Sequence, residues 1–261
     1  MPTHGFLTGP YPRAFVHRGW HCDGVAVGME NSLSAFRRAV AEGYQYLETD
    51  VHATSDGVVV VHHDPTLERT TDSAGQVAAL PWSTVRRARV GGREPVSRLE
   101  DLLEELPDAY LNIDVKSDAA VQPLLAVLAR TGAAGRVCVA SFSEARLARV
   151  RRLAGPAVLT SMGMRALAGF WASGRLPAWP FGRSPRRPPL AQVPVRHGRL
   201  TVVDARLLAA ARRRGGEVHV WTIDEATEMH RLLDLGVDGL MTDQPQVLKD
   251  VLVERGLWAR A

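Results

Sequence analysis

Short apolar runs alternate along the chain with longer amphipathic stretches, and this alternation predicts strands and helices in turn. The apolar runs are rich in valine, leucine and isoleucine, as expected for strands that are buried on both faces. They predict strands at 14–17, 46–51, 58–61, 110–115, 137–140, 157–161, 218–222 and 239–242. Between them apolar residues recur at helical spacing, as at Ala35, Phe36, Ala39 and Val40. The remaining helices are predicted at 81–88, 99–106, 119–130, 144–153, 204–214, 225–235 and after Pro245.

The alternation of eight strands with helices predicts an α/β protein built as one (β/α)8 TIM-type barrel. The length of 261 residues suits a single barrel domain spanning residues 1–261. No internal repeat is visible beyond the strand–helix alternation, which also favours a barrel.

Two segments depart from this regular pattern. Only six residues separate Val51 from Val58, whereas a parallel crossover normally needs about a dozen or more. The second and third strands are therefore joined either by an extended crossover without a helix or by a local hairpin. Residues 163–200 are dominated by glycine, proline, arginine and tryptophan, and predict an insertion in the barrel. The insertion is either a partly helical surface excursion or a wall of a substrate pocket.

Ionisable residues stand at the ends of several predicted strands. Glu48 and Asp50 lie two apart on the second strand, so their side chains leave the same face. Asp114 and Lys116 share one face of the fourth strand in the same way. The first strand ends in His17 and Arg18, and the Val58–Val61 run ends in His62, His63 and Asp64. Carboxylates, imidazoles and cations on one rim match a divalent metal together with a phosphate ester.

Each of these groups also has an ordinary structural interpretation. The carboxylates could form a solvated salt-bridge network, and Arg18 and Lys116 could serve only to pair with them. Strand alternation sends His62 and His63 to opposite faces, so at most one of them reaches the site. His21 and His52 remain weaker alternates for the acid–base role.

A series of short motifs resembles the glycerophosphodiester phosphodiesterase family. The matching pieces appear in the family's order over roughly residues 14–250. They are His17-Arg18-Gly19, Glu30-Asn31-Ser32, Glu48-Thr49-Asp50-Val51, Thr54-Ser55-Asp56-Gly57, His63-Asp64 with Leu67-Glu68-Arg69-Thr70, Asn112-Ile113-Asp114-Val115-Lys116, Ser141-Phe142, Val220-Trp221-Thr222, and Asp238-Gly239 through Thr242-Asp243 to Pro245. The family usually has glutamate where this chain has Asp114, which bears on the geometry or identity of the metal.

The resemblance implies metal-dependent hydrolysis of glycerophosphodiesters to sn-glycerol 3-phosphate and an alcohol. The metal, Mg²⁺ or Ca²⁺, would be held by the carboxylates of Glu48, Asp50 and Asp114. His17 and His63 would be the general acid and base, and the resemblance selects His63 over His62. The substrate-binding residues would be Arg18 and Lys116 for the phosphate oxygens and Phe142 and Trp221 for the glycerol. The nucleophile is either a substrate hydroxyl or metal-bound water.

Other function classes fit the sequence less well. The formal net charge is +4 and the lysines are only Lys116 and Lys249, while the arginines are scattered along predicted helices. No basic run with interleaved aromatics is present, so no nucleic-acid partner is expected. Cys22 and Cys138 form no redox or metal motif. No secretory signal or bilayer-spanning apolar stretch is visible, which favours a cytoplasmic protein.

Two rival functions remain for such a barrel. A related phospholipase of the D or C type would act on membrane phospholipids, and the Trp-bearing stretch from Trp171 to Phe181 keeps that alternative open. A non-catalytic phosphate-binding barrel would have lost a carboxylate or His17, and neither is lost. A small-molecule glycerophosphodiester is the expected partner, membrane contact is not expected, and the sequence leaves the oligomeric state open.

Overall fold

The computed structural model describes residues 4–175 and 190–258. The strands are β1 (Arg13–His17), β2 (Tyr46–Ala53), β3 (Val59–Val61), β4 (Arg89–Val90), β5 (Glu94–Pro95), β6 (Tyr110–Val115), β7 (Val137–Ala140), β8 (Leu159–Thr160), β9 (Leu190–Val193), β10 (Arg196–His197), β11 (Leu200–Thr201), β12 (Glu217–Val220) and β13 (Gly239–Thr242). The helices are α1 (Leu33–Ala41), α2 (Trp82–Val85), α3 (Leu99–Glu105), α4 (Val121–Thr131), α5 (Glu144–Ala154), α6 (Met164–Ser173), α7 (Ala205–Arg212), α8 (Ala226–Leu235) and α9 (Pro245–Glu254).

Eight of the strands form a nearly closed parallel barrel. Their order is β8-β7-β6-β2-β1-β13-β12-β9, and every neighbouring pair is parallel. The two ends of this path meet where the Met162 amide donates to the Leu190 carbonyl at 2.9 Å. The barrel strands therefore follow one another around the ring in chain order, which confirms the predicted TIM-type barrel.

The irregular connection after the second strand is a hairpin. β3 pairs antiparallel with β2, with Val51 opposite Val61. A tight turn joins them, in which the Gly57 amide donates to the Thr54 carbonyl at 3.0 Å. The run 58–61 is thus not one of the barrel strands, because six linking residues are too few to return the chain parallel to itself. Of the two alternatives for this connection, the hairpin is correct.

The missing barrel strand lies inside the stretch predicted as an insertion. β9 (Leu190–Val193) pairs parallel with β12, and α6 (Met164–Ser173) is the barrel helix that precedes it. The small hairpin of β10 and β11 follows at once. Residues 163–200 are therefore only in part an insertion. The segment from Trp179 to Phe181 lies outside the described residues.

The alternation of side chains along the strands divides the interior into two regions. Outward-facing Leu47, Val51, Ile113 and Val115 are fully buried against the surrounding helices. Burying one such side chain contributes about 1.5–3 kcal/mol, so this layer dominates the stability of the barrel. Inward-facing aromatic and apolar residues fill the base of the barrel: Phe6, Phe15, Tyr46, Cys138, Leu159, Leu190 and Met241.

The filled base leaves the opposite end of the barrel for polar groups. On β2 the inward positions run from Tyr46 in the base to Glu48 and then Asp50. The barrel interior thus changes along one strand from a packed apolar layer to a layer of carboxylates. Within the part of the chain that the structure describes, no helix is long and apolar enough to cross a bilayer.

Candidate active site

A cavity of about 460 Å³ opens at the carboxyl ends of the barrel strands. Its volume lies within the usual range for small-molecule sites. All nine side chains singled out from the sequence line it: His17, Arg18, Glu48, Asp50, His63, Asp114, Lys116, Phe142 and Trp221. The carboxyl ends of the strands in a TIM barrel are where active sites are built, so this cavity is the candidate active site.

Strand register brings the three carboxylates and His17 together. Asp50 lies beside Asp114 in the pairing of β2 with β6, and Glu48 lies beside His17 in the pairing of β2 with β1. All three carboxylates are buried. The predicted cluster therefore forms from neighbouring strands without help from loops.

Two cations occupy the space between the carboxylates. The Lys116 ammonium lies 2.7 Å from Asp50 Oδ1 and 2.7 Å from Asp114 Oδ2. Arg18 Nε lies 3.1 Å from Asp50 Oδ2, and the Asn31 amide donates to the same oxygen at 3.0 Å. Asp50 thus forms ion pairs with both cations and accepts a hydrogen bond from the Asn31 side chain.

The pKa values of the three buried carboxylates shift in different directions. Burial and then the charge of Asp50 raise the pKa of Glu48 to about 8. Burial also acts to raise the pKa of Asp50, but Lys116 and Arg18 outweigh it and hold that pKa below its ordinary value. For Asp114 burial prevails over Lys116, and the pKa is raised. Glu48 Oε2 is buried without a hydrogen-bond partner, so this oxygen is available to a proton or a cation.

The same cluster also bears on metal binding. As the side chains stand, no three His, Cys, Asp or Glu groups in residues 4–175 and 190–258 converge closely enough to hold a metal ion. The Lys116 ammonium fills the position between Asp50 and Asp114. The donors are nevertheless hard oxygens and one of them is unpartnered, which fits a divalent cation such as Mg²⁺ or Ca²⁺ once Lys116 is displaced.

His17 is held between two carboxylates. Its Nδ1 lies 2.7 Å from Asp243 Oδ1, and its Nε2 lies 3.7 Å from Glu48 Oε2. A carboxylate accepts but does not donate, so the proton is assigned to Nδ1. Burial lowers the pKa of His17, but Glu48 and Asp243 outweigh burial and raise it above its ordinary value. The charge of a protonated His17 in turn acts to lower the pKa of Glu48.

The two adjacent histidines at the end of β3 lie in different environments. His63 lines the cavity, and its Nδ1 lies 2.6 Å from Asp64 Oδ1. His62 is 3% exposed, and its Nε2 lies 2.9 Å from the Thr66 carbonyl. His62 does not line the cavity, so the expected separation of the two side chains is present. Of the alternates, His52 supports the His63 carbonyl at 3.0 Å and His21 lies 3.3 Å from Asp243.

The opposite side of the cavity is apolar. Phe142 and Trp221 meet edge to face, with 5.8 Å between their ring centroids. Phe142 is 56% exposed and Met164 is 45% exposed, so large apolar groups stand at the cavity mouth. The wall is completed by Met162, Leu167, Pro194 and Val202. The site thus has a charged half and an apolar half.

Several side chains of the site were not assigned a role from the sequence. Asp243 and Asn31 belong to motifs noted there, yet their contacts to His17 and Asp50 depend on loops that follow strands. Gln192, which donates to Asn112 Oδ1 at 2.8 Å, and His197 lie in the stretch predicted as an insertion. The sequence did offer a signal for Asp243, because it occupies a motif position at the end of a strand. It offered none for Gln192, because β9 was not predicted as a strand.

Comparisons of the sequence and the structure with known proteins point to one protein family. Residues 17–247 match the Glycerophosphoryl diester phosphodiesterase family. A Mycobacterium tuberculosis protein named a probable glycerophosphodiester phosphodiesterase is 39% identical over 261 residues, covering 98% of this chain and 97% of the relative. The mouse lysophospholipase D is 26% identical over 273 residues, covering 92% of this chain and 86% of the relative. The crystal structure of a glycerophosphodiester phosphodiesterase from Agrobacterium tumefaciens has a TM-score of 0.70 at 23% identity, over 90% of this chain and 98% of that one.

Proposed function

Because the chain belongs to the glycerophosphoryl diester phosphodiesterase family and is a phosphoric diester hydrolase, we propose that it cleaves glycerophosphodiesters to sn-glycerol 3-phosphate and an alcohol, with His17 and His63 as its acid–base pair. The observation that carries the proposal is that both histidines line one cavity with three carboxylates and two cations.

The chemistry asks three things of the site. A phosphodiester is anionic, so its charge must be offset, the nucleophile must lose a proton and the leaving oxygen must gain one. In the proposed reaction the P–O bond to the alcohol breaks as water or a glycerol hydroxyl attacks phosphorus. Attack by the glycerol hydroxyl gives a cyclic phosphate, which water then opens to glycerol 3-phosphate. One histidine accepts the proton of the nucleophile, and the other donates a proton to the departing oxygen.

The contacts of the two histidines support this division of labour. Asp243 holds His17 through Nδ1 and Asp64 holds His63 through Nδ1, which leaves Nε2 of each ring for the proton transfer. A fixed tautomer and ring orientation are what a carboxylate behind an imidazole contributes to acid–base catalysis.

Arg18 and Lys116 are the proposed ligands of the non-bridging phosphate oxygens. Both lie within the cavity and both are positioned by Asp50. An arginine offers several N–H donors in a fixed plane, while a lysine acts as a point charge. The phosphate would compete with Asp50 and Asp114 for these cations and so release the two carboxylates.

Glu48, Asp50 and Asp114 are the proposed holders of a divalent metal, Mg²⁺ or Ca²⁺. Members of the family generally depend on a divalent metal ion. Their oxygens suit a hard cation, and Glu48 Oε2 has no hydrogen-bond partner. When bound, the ion would supply positive charge that offsets the charge on the phosphoryl oxygens. Phe142 and Trp221 would pack against the glycerol.

A second candidate substrate carries an acyl chain on the glycerol, as in the reaction named for the mouse lysophospholipase D. The observation that favours it is the apolar half of the cavity, with Phe142 and Met164 exposed at its mouth. An acyl chain would bury its surface against this wall, whereas a small polar alcohol gains nothing from it.

An assay of alcohol release, choline or ethanolamine, tests the proposal directly, because both candidate reactions free the alcohol. The protein is incubated with glycerophosphocholine, glycerophosphoethanolamine and a lysophospholipid, before and after removal of metal with EDTA. We expect turnover that chelation abolishes and that Mg²⁺ or Ca²⁺ restores. Full turnover after dialysis against EDTA, with metal content measured as nil, would remove the metal from the proposal. Turnover of the lysophospholipid alone would select the second candidate, and turnover of neither class would refute both.

A further inference from the structure

Arg69 lies outside the cavity and contacts two carboxylates, those of Asp64 and Glu30. Its Nε lies 2.5 Å from Asp64 Oδ2 and its Nη2 lies 3.0 Å from Asp64 Oδ1. Its Nη1 and Nη2 lie 2.8 Å and 2.7 Å from the two oxygens of Glu30. One guanidinium thus makes two bidentate contacts, the strongest form of charge-assisted hydrogen bonding.

Each of these carboxylates also holds a residue of the proposed machinery. Asp64 lies 2.6 Å from Nδ1 of His63. Glu30 accepts from Nη1 of Arg18 at 3.3 Å. Arg69 therefore stands behind the acid–base residue on one side and the phosphate-binding residue on the other.

The backbone near Glu30 is held in a sparsely populated conformation. Arg18 and Asn31 have φ angles of 55° and 59°, and the backbone amide of Asn31 donates to the Arg18 carbonyl at 2.8 Å. Such left-handed conformations at non-glycine residues persist only where surrounding contacts impose them. The direction of the Arg18 side chain is thus set by its surroundings, and Glu30 with Arg69 is part of them.

An exposed arginine beside carboxylates is ordinarily a surface ion pair that contributes little to stability. Arg69 is 48% exposed, so this interpretation applies to its effect on the fold. It does not account for the fact that both partner carboxylates, Asp64 and Glu30, also contact residues that line the cavity.

We propose that Arg69 is a positioning residue that fixes His63 through Asp64 and Arg18 through Glu30, and so couples proton transfer to phosphate binding. The proposal rests on the function proposed above. Its measurable consequence is that loss of Arg69 impairs catalysis far more than it impairs folding.

Steady-state kinetics of Arg69→Gln test the proposal, with Arg231→Gln as the matched control. Arg231 is 50% exposed and makes two contacts of 2.7 Å to Glu228, on the helix α8. We expect Arg69→Gln to lower kcat/KM by about 10–100-fold, the usual effect of removing a group that orients a site residue. Asp64→Asn should lower mainly kcat and Glu30→Gln should raise mainly KM. Arg231→Gln should change neither, and both arginine variants should melt close to the wild type.

Double-mutant cycles separate positioning from general damage. If Arg69 acts through His63, then Arg69→Gln lowers kcat in the wild type but not in His63→Ala, where nothing remains to be oriented. Equal losses in the two backgrounds, or an effect no larger than that of Arg231→Gln, would overturn the proposal. A wild type without phosphodiesterase activity would instead refute the proposed function, so the two failures are distinguishable.

Discussion

His62 and His63 are neighbours in sequence with different surroundings, because β3 ends at Val61 and the chain bends at His63. His63 faces the cavity and the Asp64 carboxylate. His62 is buried beside the Thr66 carbonyl, and burial lowers its pKa below the ordinary value. The pair therefore offers an internal control, since one imidazole can serve catalysis and the other can serve only the fold.

We expect His63→Ala to lower kcat by about 10²–10⁴-fold, the usual contribution of a positioned acid or base. His62→Ala should lower kcat much less and act mainly through stability. A substrate with a good leaving group, such as a nitrophenyl ester, needs little protonation. It should rescue His63→Ala if His63 is the acid and fail to rescue it if His63 is the base, with the opposite pattern for His17→Ala.

A larger loss in His62→Ala, with the circular dichroism spectrum unchanged, would contradict this assignment. The acid–base pair would then have to be assigned anew.

The residues that sequence patterns predict best are those on regular strands. Glu48, Asp50 and Asp114 follow from strand alternation alone, and the structure brings them together by register. Asp243 and Asn31 do not follow from alternation, because they reach His17 and Asp50 from connecting loops. Their positions depend on how whole elements pack, which no local pattern specifies.

At the scale of elements, the barrel was predictable but two of its parts were not. The valine run of β3 suits a barrel strand and a hairpin strand equally, and only the short turn before it favours the hairpin. β9 has four residues, and its inward Gln192 interrupts the apolar run amid prolines and arginines. Short strands with a functional polar residue lose the hydrophobic signal by which strands are recognised.

The β2–β3 hairpin depends on a glycine that adopts a left-handed conformation. Gly57 has a φ of 82° and its Cβ position is open, so a side chain there meets strain but no clash. We expect Gly57→Ala to destabilise the protein by about 1–2 kcal/mol. That loss corresponds to a fall of a few degrees in melting temperature for a chain of this size, measured by calorimetry.

Gly135 is the matched control for this substitution. Its Cβ position is equally open, but its φ is not positive. Gly135→Ala should be neutral or slightly stabilising, because it only restricts the unfolded chain. Equal destabilisation by the two substitutions would mean that the backbone conformation at Gly57 is not the cause.

At the scale of the whole molecule, the two ends of the barrel place their charges differently. The site end holds Glu48, whose burial and proximity to Asp50 raise its pKa to about 8. The base is closed by Arg13, which donates to the carbonyls of Leu7 and Pro10 at 2.6 Å and 2.9 Å and to Glu217. The charged groups of the base are thus paired within the fold, whereas Glu48 at the site keeps an oxygen without a hydrogen bond that a ligand can satisfy.

The ion pairs of the base should therefore contribute to acid unfolding. Burial acts to raise the pKa of Glu217, but His219 and Arg13 outweigh it and lower the pKa to about 2, with the Tyr11 and Tyr46 hydroxyls also nearby. A fall from the ordinary 4.5 to about 2 corresponds to about 3 kcal/mol of stability. Because the folded pKa is depressed, that stability is present above pH 4.5 and is lost as the pH falls towards 2.

Glu217→Gln should therefore lower the free energy of unfolding in urea at pH 7 by up to this amount and much less near pH 2. Glu228→Gln, which breaks a surface pair, should cost at most about 1 kcal/mol at either pH. A deficit for Glu217→Gln that does not change with pH would show that packing, and not the charge of Glu217, is what the base requires.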